Sequence, residues 1–454
     1  MAADIRPQAA GWRRRVCILG AGYVGLVTAA CLAEIGHTVT VLEVDRSRRT
    51  LLQRGVVPIR EPGLDEIVAR QVATGRLTFE ATDDDLLRDA DVVMIAVGTP
   101  PTIGGRADMT AVEDAFRAIT QAAPRALVVV KSTVPPGTSA RLERSARAEG
   151  HEGVRVVSNP EFLREGRAIS DFMRPDRIVI GSSDREAGGA VAALYVPLRA
   201  NVVHCRPEEA ELSKYASNAL LAARISFMNE ISWIADRVGA DVTRVSSIVG
   251  QDARIGPAFL SAGLGWGGSC FPKDVSALAA LAEDLGEDAP MLRATIAVNH
   301  RQRERALDLA LGALEFAPEH PAVAVLGVAF KPGTDDVRES PALWLVTHLV
   351  ASGVEVRVTD PLAMEQARSV EPAAAYIRDP QAAIRGADVV VLATEWPEWQ
   401  SLDWGTAARA MRGDTVIDAR NVLSAGAVMA AGLRYRALGR DALGAPASEL
   451  VCAS

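Results

Sequence analysis

Residues 15–25 read Arg15-Val16-Cys17-Ile18-Leu19-Gly20-Ala21-Gly22-Tyr23-Val24-Gly25. A short apolar run of strand length ends on Gly20, and glycines at GxGxxG spacing then open a helical pattern that continues to Gly36. Such glycines permit a tight turn and let the backbone approach a pyrophosphate resting on a helix N-terminus. Eighteen residues after Gly25, Glu43 closes the next β-branched run, Thr38–Glu43, where a carboxylate accepts a ribose 2′-hydroxyl. A carboxylate there repels a 2′-phosphate and favours NAD over NADP, a preference tempered by Arg46, Arg48 and Arg49 close behind. The stretch is expected to bind a dinucleotide rather than to use its glycines for helix packing alone.

Further apolar runs follow at Asp91–Val97, Ala126–Lys131 and Asp176–Gly181, with helical patterns between them. Continuous β-branched runs separated by helices indicate a parallel sheet covered on both faces. The last third echoes the first. Ala322–Gly327 resembles Val16–Gly20, Val354–Asp360 resembles Thr38–Glu43, Gly386–Pro397 resembles Asp89–Pro100, and Thr415–Asp418 is the next run. The echo is not metrical, because Gly20 to Glu43 is 23 residues and Gly327 to Asp360 is 33, the excess being the loop Phe330–Ser340. Between the halves, Pro207 to Val238 holds no glycine and no internal proline, and Leu212, Tyr215, Ala219, Ala222, Phe227 and Ile231 recur at helical spacing. The expected fold is α/β, with two Rossmann-like doubly wound domains joined by a long central helix. That helix is equally a dimer surface or a buried strut. The expected boundaries are 1–200, 201–312 and 313–454.

At ~100–200 residues per domain, 454 residues allow several buried cores. A net charge of −8 gives no global attraction for nucleic acid, and Arg13, Arg14 and Arg15 read as a solvated lead-in to the first strand. The cysteines (Cys17, Cys31, Cys205, Cys270, Cys452) are odd in number and widely spaced, which argues against a disulfide framework or a metal site and suits a reducing cytoplasm. Glycines and Glu34 interrupt the apolar stretch Val16–Gly36, so it is not expected to span a membrane, and the first dozen residues lack the apolar core of a signal peptide. The first ~14 residues and the tail after about Arg440 read as mobile, with Cys452 an exposed tail thiol. Only four of the 49 basic residues are lysine: Lys131, Lys214, Lys273 and Lys331.

Gly265-Trp266-Gly267-Gly268-Ser269-Cys270-Phe271-Pro272-Lys273-Asp274 carries the second chemistry. Its glycines are expected to let the backbone approach a ligand, and Pro272 suits the first turn of a helix. Cys270 would then sit at a helix N-terminus beside Lys273, two features that favour a thiolate able to attack a carbonyl carbon. Cys17 and Cys31 read as small buried residues. In Asn159–Gly166, Glu161 and Glu165 lie four apart, so one could be a general base while the other binds cofactor, and the spacing does not say which. Lys214 and Asn218, one helical turn apart, could hold a developing oxyanion. The loop from Phe330 to Ser340 follows a strand, where a phosphate would rest.

These motifs resemble the UDP-glucose/GDP-mannose dehydrogenase family from about residue 15 to about 440: GAGYVGL (20–26), EPGL (61–64), KSTVPPG (131–137), NPEFLREG (159–166), AELSKYASNA (210–219), GWGGSCFPKD (265–274) and FKPGTDDVRES (330–340). The GGSCFPKD form is closer to the UDP-glucose branch than to the branches acting on N-acetylated sugars. The resemblance implies four-electron oxidation of UDP-glucose to UDP-glucuronate by two NAD, or the same chemistry on another nucleotide sugar such as GDP-mannose. It also implies a homodimer and a role in polysaccharide precursor synthesis. It makes Cys270 the nucleophile, Lys214 and Asn218 the oxyanion pair and Glu161 the proton relay, with Asp274 and Thr133 holding the catalytic water. Cofactor contacts carried over are Gly20, Gly22, Tyr23, Val24, Gly25, Glu43, Arg48, Thr99, Thr133, Glu165, Lys273 and Arg338. Substrate contacts are Glu161, Phe162, Leu163, Lys214, Asn218, Phe259, Gly267, Lys331 and Arg420. Arg254 is expected to reach the substrate of a neighbouring subunit. Glu43 stands where the family often has Asp.

Overall fold

The computed structural model describes residues 13–440; Cys452 and the expected mobile tails lie outside the described residues apart from Arg13 and Arg14. The chain divides into two compact units, one ending at Ser217 and the other beginning at Asn218. Among the described residues no helix is long and apolar enough to cross a membrane.

The first unit is built on one sheet of eight strands: β1 (Arg15–Leu19), β2 (Thr38–Leu42), β3 (Leu77–Glu80), β4 (Val92–Ile95), β5 (Leu127–Val130), β6 (Arg155–Ser158), β7 (Ile178–Gly181) and β8 (Val202–Cys205). Their order is β3-β2-β1-β4-β5-β6-β7-β8, parallel throughout except where β6 meets β7 at Ser158 and Gly181. The second unit carries a six-stranded parallel sheet: β9 (Ala322–Leu326), β10 (Glu355–Thr359), β11 (Ala375–Tyr376), β12 (Val389–Leu392), β13 (Thr415–Asp418) and β14 (Arg434–Ala437), in the order β11-β10-β9-β12-β13-β14. Both are doubly wound, with the switch point beside the first strand of each, and ligands of such sheets sit off the strand C-termini there. β4 and β12 are buried along their whole length because helices cover both faces, which is why they read as unbroken apolar runs. Burying each Val, Ile or Leu of these strands contributes ~1.5–3 kcal/mol.

The echo between the halves is physical. Gly20 N–H donates to Leu42 O at 2.9 Å and Ala21 N–H to Glu43 Oε2 at 3.0 Å. In the second unit Gly327 N–H donates to Thr359 O at 2.7 Å and Val328 N–H to Asp360 Oδ2 at 2.7 Å. In each half a carboxylate after the second strand ties down the loop after the first.

The long helix runs from Pro207 to Val238. The unit boundary falls within it. Of the residues that recur at helical spacing, Tyr215, Ala219 and Ala222 are buried and Leu212 and Phe227 are exposed; Met228, beside Phe227, is buried.

Candidate active site

The head of the helix Tyr23–Glu34 is capped by Gly22 with no side-chain cap. Its first N–H groups are therefore left for an anion. The three glycines have different reasons. A Cβ on Gly25 would lie 2.0 Å from Gly20 O, and Gly20, at φ +103°, would bring one to 2.8 Å from Ala96 O. A Cβ on Gly22 meets no described atom within 4 Å. Packing thus closes Gly20 and Gly25 to any side chain, and the space beside Gly22 is open, as a dinucleotide phosphate would require. Gly25→Ala is expected to destabilise the protein by ~1–3 kcal/mol through overpacking. Gly22→Ala should leave stability within ~0.5 kcal/mol but weaken NAD binding; thermal melts with and without NAD separate the two.

Glu43 is buried, and its carboxylate also accepts Asp45 N–H at 2.9 Å and lies 3.5 Å from Arg48 Nη1. Tyr23 and Val24 open the helix. The Tyr23 hydroxyl bonds Glu61, and Glu61 in turn accepts Gly166 N–H and Ala168 N–H, each at 2.7 Å. Burial, then Glu61, pushes the Tyr23 hydroxyl pKa far up, so it stays protonated. This clamp joins the EPGL and NPEFLREG motifs to the dinucleotide helix. Glu61 was not anticipated, although a glutamate before Pro-Gly is the only signal it leaves. Thr99 Oγ1 donates to Thr133 O at 2.9 Å, joining the loops after β4 and β5.

The structure separates the two glutamates that spacing could not. Glu161 is buried and paired with Lys214 Nζ at 2.8 Å, and it accepts Leu163 N–H. Burial would raise its pKa, but the Lys214 ammonium, the Leu163 N–H and the charge of Lys131 outweigh it and hold the carboxyl below its ordinary value. Glu165 is half-buried, and its charge acts on Tyr23. The Phe162 ring carries the Arg177 guanidinium at 3.9 Å and the Lys214 ammonium at 5.5 Å.

In the second unit Cys270 caps the helix Phe271–Asp284 and is half-exposed, with Ser269 Oγ 3.6 Å from its Sγ. Cys17 and Cys31, by contrast, are sealed, and burial pushes each thiol up to about 12. Asp274, 1% exposed, accepts Asn218 Nδ2 at 2.6 Å and is ion-paired with Lys273. The structure therefore joins Lys214 to Glu161 and Asn218 to Asp274.

The glycines of the cysteine loop admit close protein neighbours. A Cβ on Gly267 would lie 2.1 Å from Glu339 O, on Gly268 2.7 Å from the Phe330 ring, and on Gly265 2.6 Å from Asn299 Oδ1. The loop is thus pressed onto the segment Phe330–Ser340, with Gly268 N–H donating to Arg338 O at 3.0 Å. Its other side is held by polar residues of the helix Pro290–Gly312. Asn299 bonds Trp266 N–H and O, Gln302 bonds Gly263 O, and buried Arg303 bonds Trp266 O at 3.0 Å. None of these three was anticipated; their common face, at i, i+3 and i+4, was the available signal.

Arg420 donates to Ala393 O, Gly265 O and Phe330 O and lies 3.2 Å from Glu395, so it binds the loops of this unit together. Lys331 is half-buried with its ammonium 5.3 Å from the Phe330 ring. Arg338 is exposed and held bidentately by Asp336. Phe259 has φ 61° and packs against Phe271 at 6.2 Å. Arg254 lies on the surface and is held by Asp252 at 2.6 Å.

Residues 14–199 match the model of the UDP-glucose/GDP-mannose dehydrogenase family NAD binding domain, 208–301 its central domain and 324–425 its UDP binding domain. The chain belongs to this family. It is 44% identical to the UDP-glucose 6-dehydrogenase of Pseudomonas aeruginosa, over 95% of this chain and 98% of that one. It is 40% identical to the UDP-glucose 6-dehydrogenase YwqF of Bacillus subtilis, over 94% and 98%. A solved UDP-glucose dehydrogenase from Pyrobaculum islandicum superposes with a TM-score of 0.86 at 42% identity, covering 93% of this chain and 97% of that one.

Proposed function

We propose that this protein oxidises UDP-glucose to UDP-glucuronate with two NAD per sugar. The observation that carries the reading is Cys270, half-exposed at a helix head whose first-turn Asp274 is fixed by Asn218 and Lys273. A simple alcohol dehydrogenase has no task for such a cysteine. Residues 1–200 would hold NAD through Gly20, Gly22, Gly25 and Glu43, residues 201–312 carry the chemistry, and residues 313–454 hold the UDP-sugar with Lys331 and Arg420. NAD, when bound, takes up the hydride that leaves C6 at each oxidation. The first oxidation turns the C6 alcohol into an aldehyde. Cys270 Sγ adds to the aldehyde carbon and its oxygen takes a proton, giving a thiohemiacetal. Loss of the hydride and a hydroxyl proton leaves a thioester on Cys270. Water held by Thr133 and Asp274 adds to the acyl carbon while Lys214 and Asn218 steady the oxyanion. Glu161 relays the proton, and the C–S bond breaks to give the carboxylate and the free thiol.

The test is NADH counted per sugar with UDP-glucose, UDP-galactose, UDP-N-acetylglucosamine and GDP-mannose. Two NADH per UDP-glucose, and slower turnover of the others, is the expected result. No turnover of UDP-glucose with NAD would sink the reading.

We further propose a homodimer in the cytoplasm, formed through the long helix. Leu220, Phe227, Ile234 and Val238 are exposed on it at near-heptad spacing, an arrangement suited to a second copy. Phe227→Arg is expected to shift the protein to monomers by sedimentation. In that reading Arg254 contributes to the partner's substrate site.

A further inference from the structure

Lys131 carries a buried charge that the steps above leave unused. It follows β5 directly and is 4% exposed. Its ammonium donates to Asn159 O at 3.2 Å and to Asn159 Oδ1 at 3.1 Å. Asn159 Oδ1 also accepts the Tyr195 hydroxyl at 2.5 Å, Asn159 Nδ2 donates to Val179 O at 2.8 Å, and Asn159 N–H donates to Val130 O at 2.9 Å. Asn159 is thereby fixed from β5, β7 and Tyr195, and only Pro160 separates it from Glu161.

No carboxylate is ion-paired with Lys131 among the described residues. Burial lowers its pKa to about 8, the charge of Glu161 raises it, and the charge of Lys214 lowers it. The Tyr195 hydroxyl stays neutral because burial pushes its pKa up. The groups facing the ammonium are therefore one carboxylate, one ammonium and one neutral phenol. Two buried ammoniums share a single carboxylate. A buried, unpaired cation costs several kcal/mol, and an uncharged side chain could fill the same space. The excess positive charge suits a cluster that must receive a further negative charge.

We infer that Lys131 is a positioning residue of the oxidation: it pins Asn159, and with it the Glu161 carboxylate, and its charge keeps Glu161 ionised while the Lys214 ammonium is engaged by the substrate oxyanion. The inference rests on the function proposed above. Without a second cation, Glu161 would lose its partner when Lys214 turns to the substrate, and burial would then protonate the group meant to take up a proton.

The experiment compares the unaltered protein with Lys131→Met and Lys131→Arg, measuring kcat, KM and the pH profile of kcat with UDP-glucose and NAD, beside thermal melts. Lys131→Met is expected to lose about 10–100-fold in kcat with KM changed less than about threefold, and the acidic limb of its profile should move up by about one pH unit. Lys131→Arg keeps the charge, so its acidic limb should stay in place while kcat falls because the guanidinium does not fit between two oxygens of one residue. A Lys131→Met protein with unaltered kcat and acidic limb overturns the inference. So does a loss of kcat in that variant with an unmoved limb, which would mark a merely structural role. If Lys131→Met does not fold, Lys131→Arg decides: a displaced acidic limb or an unaltered kcat refutes the inference, and a fixed limb with reduced kcat supports it. Absence of UDP-glucose turnover by the unaltered protein is a different failure, that of the proposed function, and it removes the inference with it.

Discussion

Cys270→Ala is expected to abolish net oxidation, with kcat reduced by about 10⁴-fold or more, the scale seen when a covalent nucleophile is removed. Without the thiol the aldehyde has nothing to add to, so no thioester forms and no carboxylate is released. The first oxidation alone is reversible and should yield less than one NADH per sugar. The fold should survive, because Cys270 is half-exposed and the helix behind it begins with Phe271 and Pro272 regardless of the side chain at its cap. Melting within ~0.5 kcal/mol of the unaltered protein is expected, as for substitutions outside a packed core. The check is NADH stoichiometry together with intact-mass detection of the acylated protein under single turnover. Two NADH per UDP-glucose from the alanine variant would show that the cysteine has no covalent role.

Lys214→Ala should damage both activity and stability. Removing an oxyanion donor costs about 10²–10³ in kcat. Removing one partner of a buried pair costs ~3–5 kcal/mol, because Glu161 is left charged in a site that excludes water. The pH dependence has a definite sign. In the unaltered protein the Glu161 pKa is depressed below its unfolded value, so its contribution to stability is present above the ordinary carboxylate range and is lost as pH falls through the folded value. In the variant, burial is offset only by the Leu163 N–H and the charge of Lys131, and the folded pKa is expected to rise above the unfolded one while staying below pH 7. Stability is then kept below the unfolded pKa of about 4.3 and lost as pH rises. The gap between the two proteins in urea should therefore be wide at pH 7 and narrow at pH 5. An equal gap at both would mean that lost packing, not an orphaned carboxylate, is the cause. Adding Glu161→Gln to the variant should return much of the stability and none of the activity.

The legible parts of this molecule share one property: they depend on chain neighbours. The run Val16–Leu19, the glycine turn and Glu43 form a strand, a loop and an acid that bind one another within 30 residues, so their spacing carries their geometry. The long helix was legible because nothing in 32 residues breaks it. The strands β3, β6, β8, β11 and β14 were not, since polar residues break up four of them and β11 is two residues long, so none leaves an apolar run. Which face of the long helix is buried was not legible, because apolar residues on both sides, such as buried Met228 beside exposed Phe227, make the phase ambiguous.

The four lysines mark where reading along the chain ends. Their motifs were visible, but each ammonium meets a different chemistry: an amide for Lys131, a buried carboxylate for Lys214, the neighbouring aspartate for Lys273 and an aromatic ring for Lys331. The same holds for the glutamates, where Glu161 and Glu165 are equivalent in spacing and separated only by what packs over them. The sequence by itself determined the doubly wound halves, the central helix, the glycine turn and the helix that Cys270 heads, because backbone sterics and apolar periodicity act locally. Only the tertiary structure decided which glycines are closed by neighbouring protein, which of the two glutamates is buried against Lys214, and that the Lys131 ammonium lies on Asn159. Burial and charge pairing join residues remote in sequence, and their energies exist only once the interior has excluded water.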